Sequence, residues 1–155
     1  MIINKGTHAP LRMPAILFDC VALRYEVEFT DSCRYNVGED QSDINKLFGI
    51  GQFPHHHKNS VRYGWRWVED MGQIEILAYW YAFGMRESRH IGWVNIGEKL
   101  IYQIDGSGPF WTLVFNWTTR LQIPLKPCRI GYLLLPYFGG NKTAPHDMEI
   151  KIKRV

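Results

Sequence analysis

A chain of 155 residues with a formal charge of +3, its acidic and basic residues interspersed, is long enough to bury its own core as one domain. Six Trp, eight Tyr and eight Phe exclude a disordered chain. The mild, scattered charge offers no nucleic-acid surface, and no apolar run reaches the length of a membrane-spanning helix, so neither partner is expected.

Residues 1–15 contain Gly6, Pro10 and Pro14 and little periodicity. They predict an extended arm lying on the domain or on a neighbour, with 16–155 as the folded domain. The start of the chain has no sustained apolar stretch of the export-signal kind. The three cysteines, Cys20, Cys33 and Cys128, have no CxxC spacing. Free thiols in a chain made in the cytoplasm are the expectation, and a virion component released by lysis fits it equally. A Cys20–Cys33 bridge is the alternative.

Ile16 to Phe29 reads as strand, with Leu23, Tyr25, Val27 and Phe29 on one side and Arg24, Glu26 and Glu28 on the other. Thr30 to Asp43 is polar and irregular. Asn45 to Gln52 is an apolar strand whose Gly49 and Gly51 mark a bulge or a close backbone approach. His55-His56-His57 then leads into the clearest hairpin of the chain, Ser60 to Val68 and Gln73 to Phe83, around a four-residue loop. Opposing Val68 to Gln73 sets the register by counting. Trp67 faces Ile74, Trp65 faces Ile76, Tyr63 faces Ala78 and Val61 faces Trp80, all on one apolar face. The other face pairs Arg66 with Glu75, Gly64 with Leu77, Arg62 with Tyr79 and Ser60 with Tyr81. A slip of one residue would bury both arginines among the aromatics, at a high cost. The second face, with Arg62, Arg66, Glu75, Tyr79 and Tyr81, is the candidate ligand surface, because it offers guanidinium donors beside aromatic rings.

Gly84 to Ser88 reads as a turn and His90 to Val94 as a short strand. Lys99 to Ile104 and Phe110 to Trp117 form a second hairpin. Thr118 to Leu125, Ile130 to Tyr137 and the stretch beginning at Met148 complete the set. About nine or ten strands, with turn signals every 8–12 residues and no helical period, predict an all-β, single-domain antiparallel β-sandwich of jelly-roll type.

The C-terminal order GYLLLPYFGGNKTAPHDMEIKI resembles the last two strands of concanavalin-A-like jelly rolls, the sandwiches of legume lectins, laminarinase-type glucanases and some polysaccharide lyases. That resemblance implies a curved sheet with a ligand on its concave face, and carbohydrate as a partner. The ExDxxE strand of laminarinase-like glucanases is missing: QIEILAYWY carries only Glu75, whereas glycosidases generally need two carboxyl groups. A lyase of this kind needs a base and a group neutralising a uronate. His57, Arg62 and Tyr137 are the residues that could be cast in those roles, although no spacing joins them.

His55 and His57, two apart on an extended chain, point the same way and could share a divalent metal with His146 as third ligand. The Glu that follows an HxH pair in cupins is absent, Asn59 to Arg62 filling the gap. The competing reading makes the run a loop whose imidazoles bond backbone groups. His8 and His90 read as ordinary surface or interface residues. The overall expectation is a non-catalytic β-sandwich used for binding or assembly, glycan-recognising or part of a phage-like particle, and a homo-oligomer. Its alternative is a jelly-roll carbohydrate-active or metal-dependent enzyme using the His55–His57 region.

Overall fold

The computed structural model describes residues 1–19 and 22–155. Its strands are β1 (Ile2–Ile3), β2 (Ile16–Phe18), β3 (Ala22–Phe29), β4 (Asn45–Gln52), β5 (Ser60–Val68) and β6 (Gln73–Ala82), followed by β7 (Met85–Val94), β8 (Lys99–Asp105), β9 (Thr112–Phe115), β10 (Thr119–Gln122), β11 (Ile130–Leu134) and β12 (Met148–Arg154). They form two antiparallel six-stranded sheets, ordered β1-β12-β3-β8-β9-β10 and β2-β11-β4-β5-β6-β7. The fold is the jelly-roll β-sandwich that the strand pattern predicts.

The β5–β6 hairpin has the register counted from the sequence, from Val68↔Gln73 to Ser60↔Tyr81. Its inner face carries Val61, Tyr63, Trp65, Trp67, Ile74, Ile76 and Ala78, all buried. Trp65 packs on Phe29 and Tyr35 at ring distances of 5.2 and 5.9 Å. Each such apolar side chain contributes about 1.5–3 kcal/mol through removal from water. The Tyr63 hydroxyl crosses the sandwich, shared between the carbonyls of Gln103 (3.0 Å) on β8 and Val114 (2.9 Å) on β9. Those bonds let a phenol sit in the core, where burial pushes its pKa well up.

Two bulges set what the outer face of this sheet displays. In β4 the pairing steps from Lys46↔Gly64 to Gly49↔Arg62, so one strand spends three residues where the other spends two. Leu47 and Phe48 both turn inward, and Lys46 and Gly49 both face out. In β7 the step from Ile76↔Gly92 to Leu77↔His90 leaves Ile91 as the extra residue. The pairings therefore line up in rows across the outer face. One runs Tyr132, Gly51, Ser60, Tyr81, Arg86; the next Leu134, Gly49, Arg62, Tyr79, Ser88; and further along lie Arg66, Glu75 and Trp93.

Two expectations need correction. Ile16 to Phe29 is not one strand: β2 pairs with β11 in one sheet, while β3 pairs with β8 and β12 in the other. Asp19, at φ 47, lies in the bend, and apolar residues on both sides of it disguise the change of sheet. Cys20, and with it the Cys20–Cys33 pairing, lies outside the described residues. Gly84 to Ser88 is not a turn: Phe83 and Gly84 alone, at φ 54 and 84, make a tight two-residue turn into the ten-residue β7. That strand is a sheet edge exposed from Met85 to His90, so burial imposes no alternation on it. The N-terminal segment, expected to lie on the domain or on a neighbour, has its first residues joined to the domain. Ile2 and Ile3 pair with β12, the Met1 ammonium donates to the Ile150 carbonyl at 2.6 Å, and Gly6 N–H donates to Ala144 O at 2.9 Å.

Candidate functional site

A cleft of about 320 Å³ opens on the outer face of the β4-β5-β6-β7 region. Its floor is Ser60, Arg62, Tyr79, Tyr81 and Arg86, presented by neighbouring strands in the rows above. One wall is the histidine loop, through His56 and His57; the other is the segment after β11, through Tyr137 and Gly140, with Lys46 beneath it.

Each part is held for a local reason. Gly49 faces Arg62 so closely that a Cβ there would lie 2.2 Å from the Arg62 Cβ; glycine is what allows the arginine to sit on this face. Gly51 likewise makes room for the Tyr132 ring. The histidine loop is tied to the β6–β7 turn: Gly84 N–H donates to Lys58 O at 2.9 Å and Phe83 N–H to Asn59 Oδ1 at 3.0 Å. Tyr137 and Lys46 exchange backbone hydrogen bonds of 2.8 and 2.9 Å, which pins Tyr137 to the bulged strand. The Lys46 ammonium donates to Gly139 O at 3.0 Å and lies 5.3 and 5.6 Å from the Tyr79 and Tyr137 rings. From the arm, His8 stacks on Tyr137, with ring centroids 4.8 Å apart and planes 6° from parallel, while its Nδ1 lies 2.9 Å from Phe138 O.

The electrostatics are one-sided. Lys46, Arg62 and Arg86 line the cleft and, among the described residues, no carboxylate does. Arg62 is 7% exposed and makes no ion pair among the described residues. Its Nη2 donates to Leu135 O at 2.8 Å, whereas its buried Nε and the Ser60 Oγ have no hydrogen-bond partner among the described residues. Burial draws the guanidinium down to about 10, still far above neutrality, so the charge stays. Burial, and then the charge of Arg62, lowers Lys46 to about 8. Burial also lowers His56, with His57, Arg62 and His55 adding to it, which keeps that imidazole neutral at pH 7. Tyr79 is pushed up to about 12, by burial first and then by Tyr81, so it is a neutral phenol that binds and does not take protons. A dry arginine with unused donors and no counter-ion suits an anionic group of a ligand.

Of the residues singled out in the sequence, Arg62, Tyr79, Tyr81, His57 and Tyr137 meet in this cleft. Arg66 and Glu75 lie further along the same face in a separate depression, where Arg66 Nε donates to Glu75 Oε2 at 2.5 Å. The metal set of His55, His57 and His146 does not form. His146 lies against the turn after β3, its Nε2 2.8 Å from Ser32 O, and the His55 and His57 rings are 6.4 Å apart. Among the described residues, no group of three His, Cys, Asp or Glu side chains could hold a metal ion. Four participants were not foreseen: Lys46, His56, Arg86 and, behind Tyr137, His8. Lys46 carried a signal, as the lone cation in the apolar strand NKLFGIGQ.

No family model and no curated protein matches the chain. Its fold is similar to three solved structures. Alginate lyase AlyC3 aligns with TM-score 0.58 at 12% identity, covering 97% of this chain and 67% of its own. Alginate lyase vAL-1 from Chlorella virus aligns with TM-score 0.54 at 12% identity, covering 99% and 81%. A family 18 polysaccharide lyase, aly-SJ02, aligns with TM-score 0.51 at 9% identity, covering 100% and 87%. These are concanavalin-A-like jelly rolls, the architecture that the C-terminal strands resemble. They also correct the expectation of a non-catalytic binding or assembly protein: each of the three is a lyase by name, which agrees better with the alternative, a carbohydrate-active enzyme of jelly-roll type.

Proposed function

We propose that the chain is a polysaccharide lyase that cleaves a uronate-containing chain by β-elimination. The observation that carries this reading is Arg62: a buried guanidinium, with a donor to spare and no carboxylate partner among the described residues, at the base of a cleft lined by no acid. Glycoside hydrolysis generally needs two carboxyl groups flanking the bond, and the cleft has none. Elimination needs different parts. A cation must neutralise the uronate carboxylate, so that the proton on the adjacent carbon becomes acidic. A base must take that proton, and an acid must protonate the leaving oxygen.

The cleft contains candidates for all three. Arg62 binds the carboxylate, with Lys46 and Arg86 adding positive potential. His57 removes the proton α to the carboxylate. The electron pair forms a double bond between the α and β carbons, the bond from the β carbon to the glycosidic oxygen breaks, and the Tyr137 hydroxyl protonates that oxygen. Tyr79 and Tyr81 offer rings and neutral hydroxyls to the sugar.

The test is to incubate the protein with uronate polymers and follow the ultraviolet absorbance of the unsaturated product. Tyr137→Phe and His57→Asn should each lower kcat by about 10²-fold or more, the usual contribution of a positioned acid or base. Their far-ultraviolet circular dichroism should match that of the wild type. An active Tyr137→Phe would remove Tyr137 from the mechanism, and no unsaturated product from any uronate polymer would reject the lyase reading.

A further inference from the structure

The cleft does not end at Tyr79. A middle depression of about 170 Å³ shares Lys46, Tyr79, Arg86 and Gly140 with it, and through Ser42 meets a third of about 590 Å³. Together they make a trough along β5 and β6, from the Ser60–Tyr81 pair to Val68. Arg62 and Arg66 are four residues apart on one extended strand, about 13 Å, which is longer than one pyranose ring.

The chemistry reverses along that trough. In the third depression Arg66 is already committed, donating through Nε to Glu75 and through Nη1 to Ser42 O at 3.0 Å. The second oxygen of Glu75 lies 2.9 Å from His90 Nδ1. The remaining ionisable residues of the lining are Glu69 and Asp70, both exposed acids. A second uronate carboxylate placed here would face like charge with no uncommitted cation among the described lining residues to meet it.

The same depression carries Trp93, opposite Glu75 and 39% exposed. Strict alternation would place His90 and Trp93, three residues apart, on opposite faces. The bulge at Ile91 puts both on the ligand face, with their rings 5.2 Å apart. An exposed indole beside hydrogen-bonding carboxyl and imidazole groups suits the apolar face and hydroxyls of an uncharged sugar.

We propose that this end of the trough is a subsite for a neutral sugar, and that the substrate is a mixed polysaccharide in which the uronate at Arg62 is followed, one or two units away, by an uncharged residue. The proposal rests on the uronate reading of the Arg62 cleft. It sets the preferred substrate apart from a pure polyuronate.

The experiment compares hyaluronan, an alternating uronate and neutral-sugar polymer, with polymannuronate and polyguluronate. Both cleavage and binding by affinity electrophoresis are read for wild type, Trp93→Ala and Glu69→Lys/Asp70→Lys. Wild type should favour the alternating polymer. Trp93→Ala should weaken that preference by about five- to tenfold, mainly in KM or mobility, the scale of one aromatic contact. Glu69→Lys/Asp70→Lys should improve the handling of the homopolymers. Equal handling of all three polymers, or a Trp93→Ala protein indistinguishable from wild type, would overturn the subsite. Binding that depends on Trp93 without any cleavage would leave the subsite standing and reject the lyase chemistry.

Discussion

Gly49→Ala tests the link between the sheet and the site. A methyl group at that position would lie 2.2 Å from Arg62 Cβ, 2.4 Å from Val61 O and 2.7 Å from Arg62 Cα. All three atoms belong to β5 itself, at the Gly49↔Arg62 pair, and none can swing aside as a side-chain tip would. The two strands must separate locally, loosening the ladder that carries Arg62 into the cleft. Overpacking of this kind costs about 1–3 kcal/mol, and rigid neighbours put the value near 3. For a domain of this size that corresponds to a loss of about 6–12 °C in Tm. Gly51→Ala is the internal control, because the atoms nearest its methyl group would be the end of the Tyr132 ring, at 2.6–3.0 Å, a half-buried side chain that yields more easily than backbone. That variant should lose about 1 kcal/mol or less. Urea titrations followed by tryptophan fluorescence, with linear extrapolation, measure both. Equal losses for the two variants, or a loss below about 1 kcal/mol for Gly49→Ala, would refute the claim that close approach at Gly49 positions Arg62.

Two further predictions use the same site. His8→Ala removes the ring stacked on Tyr137 and should lower kcat several-fold with KM nearly unchanged, at a stability cost of about 1 kcal/mol for its lost hydrogen bond; His8→Phe, which keeps the stack, should restore kcat, and an unaltered kcat in His8→Ala would dismiss the arm as a positioning element. Lys46 has a folded pKa of about 8 against an ordinary 10.5, so between those values the unfolded chain binds more protons than the folded one, and the contribution of Lys46 to stability rises with pH across that window. Wild type should gain stability relative to Lys46→Met from pH 8 to 10.5 in urea titrations, while its affinity for uronate polymer falls as the ammonium is lost. A difference that stays flat with pH would show that burial does not perturb Lys46.

The hairpin register was legible in the sequence because one face of β5 and β6 is fully buried, and a slip would exchange tryptophans for arginines there. The bulge or close approach at Gly49 and Gly51 was legible for a similar reason, since glycines inside an apolar strand have few other uses. Arg62, Tyr79 and Tyr81 followed from the register, being the outward set of the same two strands. A stretch lacking a buried face left no such record: the first half of β7, an exposed edge, read as a turn, and Arg86 was lost with it. The rest of the company that Arg62 keeps was beyond local pattern. Lys46 and Tyr137 reach the cleft through a bulge and a bridge between β4 and the segment after β11, and His8 backs Tyr137 from an arm that returns to the domain. Those contacts join residues far apart in the chain, and a period of two within each strand says nothing about which strands are neighbours. The histidine run makes the same point in reverse. Its spacing suited a metal, but His146 was needed as third ligand, and the packing of the segment before β12 against the turn after β3 holds it at Ser32 instead. Alternation within strands determined which side chains face the ligand; only the order of strands in the sheet, and the loops that close over it, decided which of them meet.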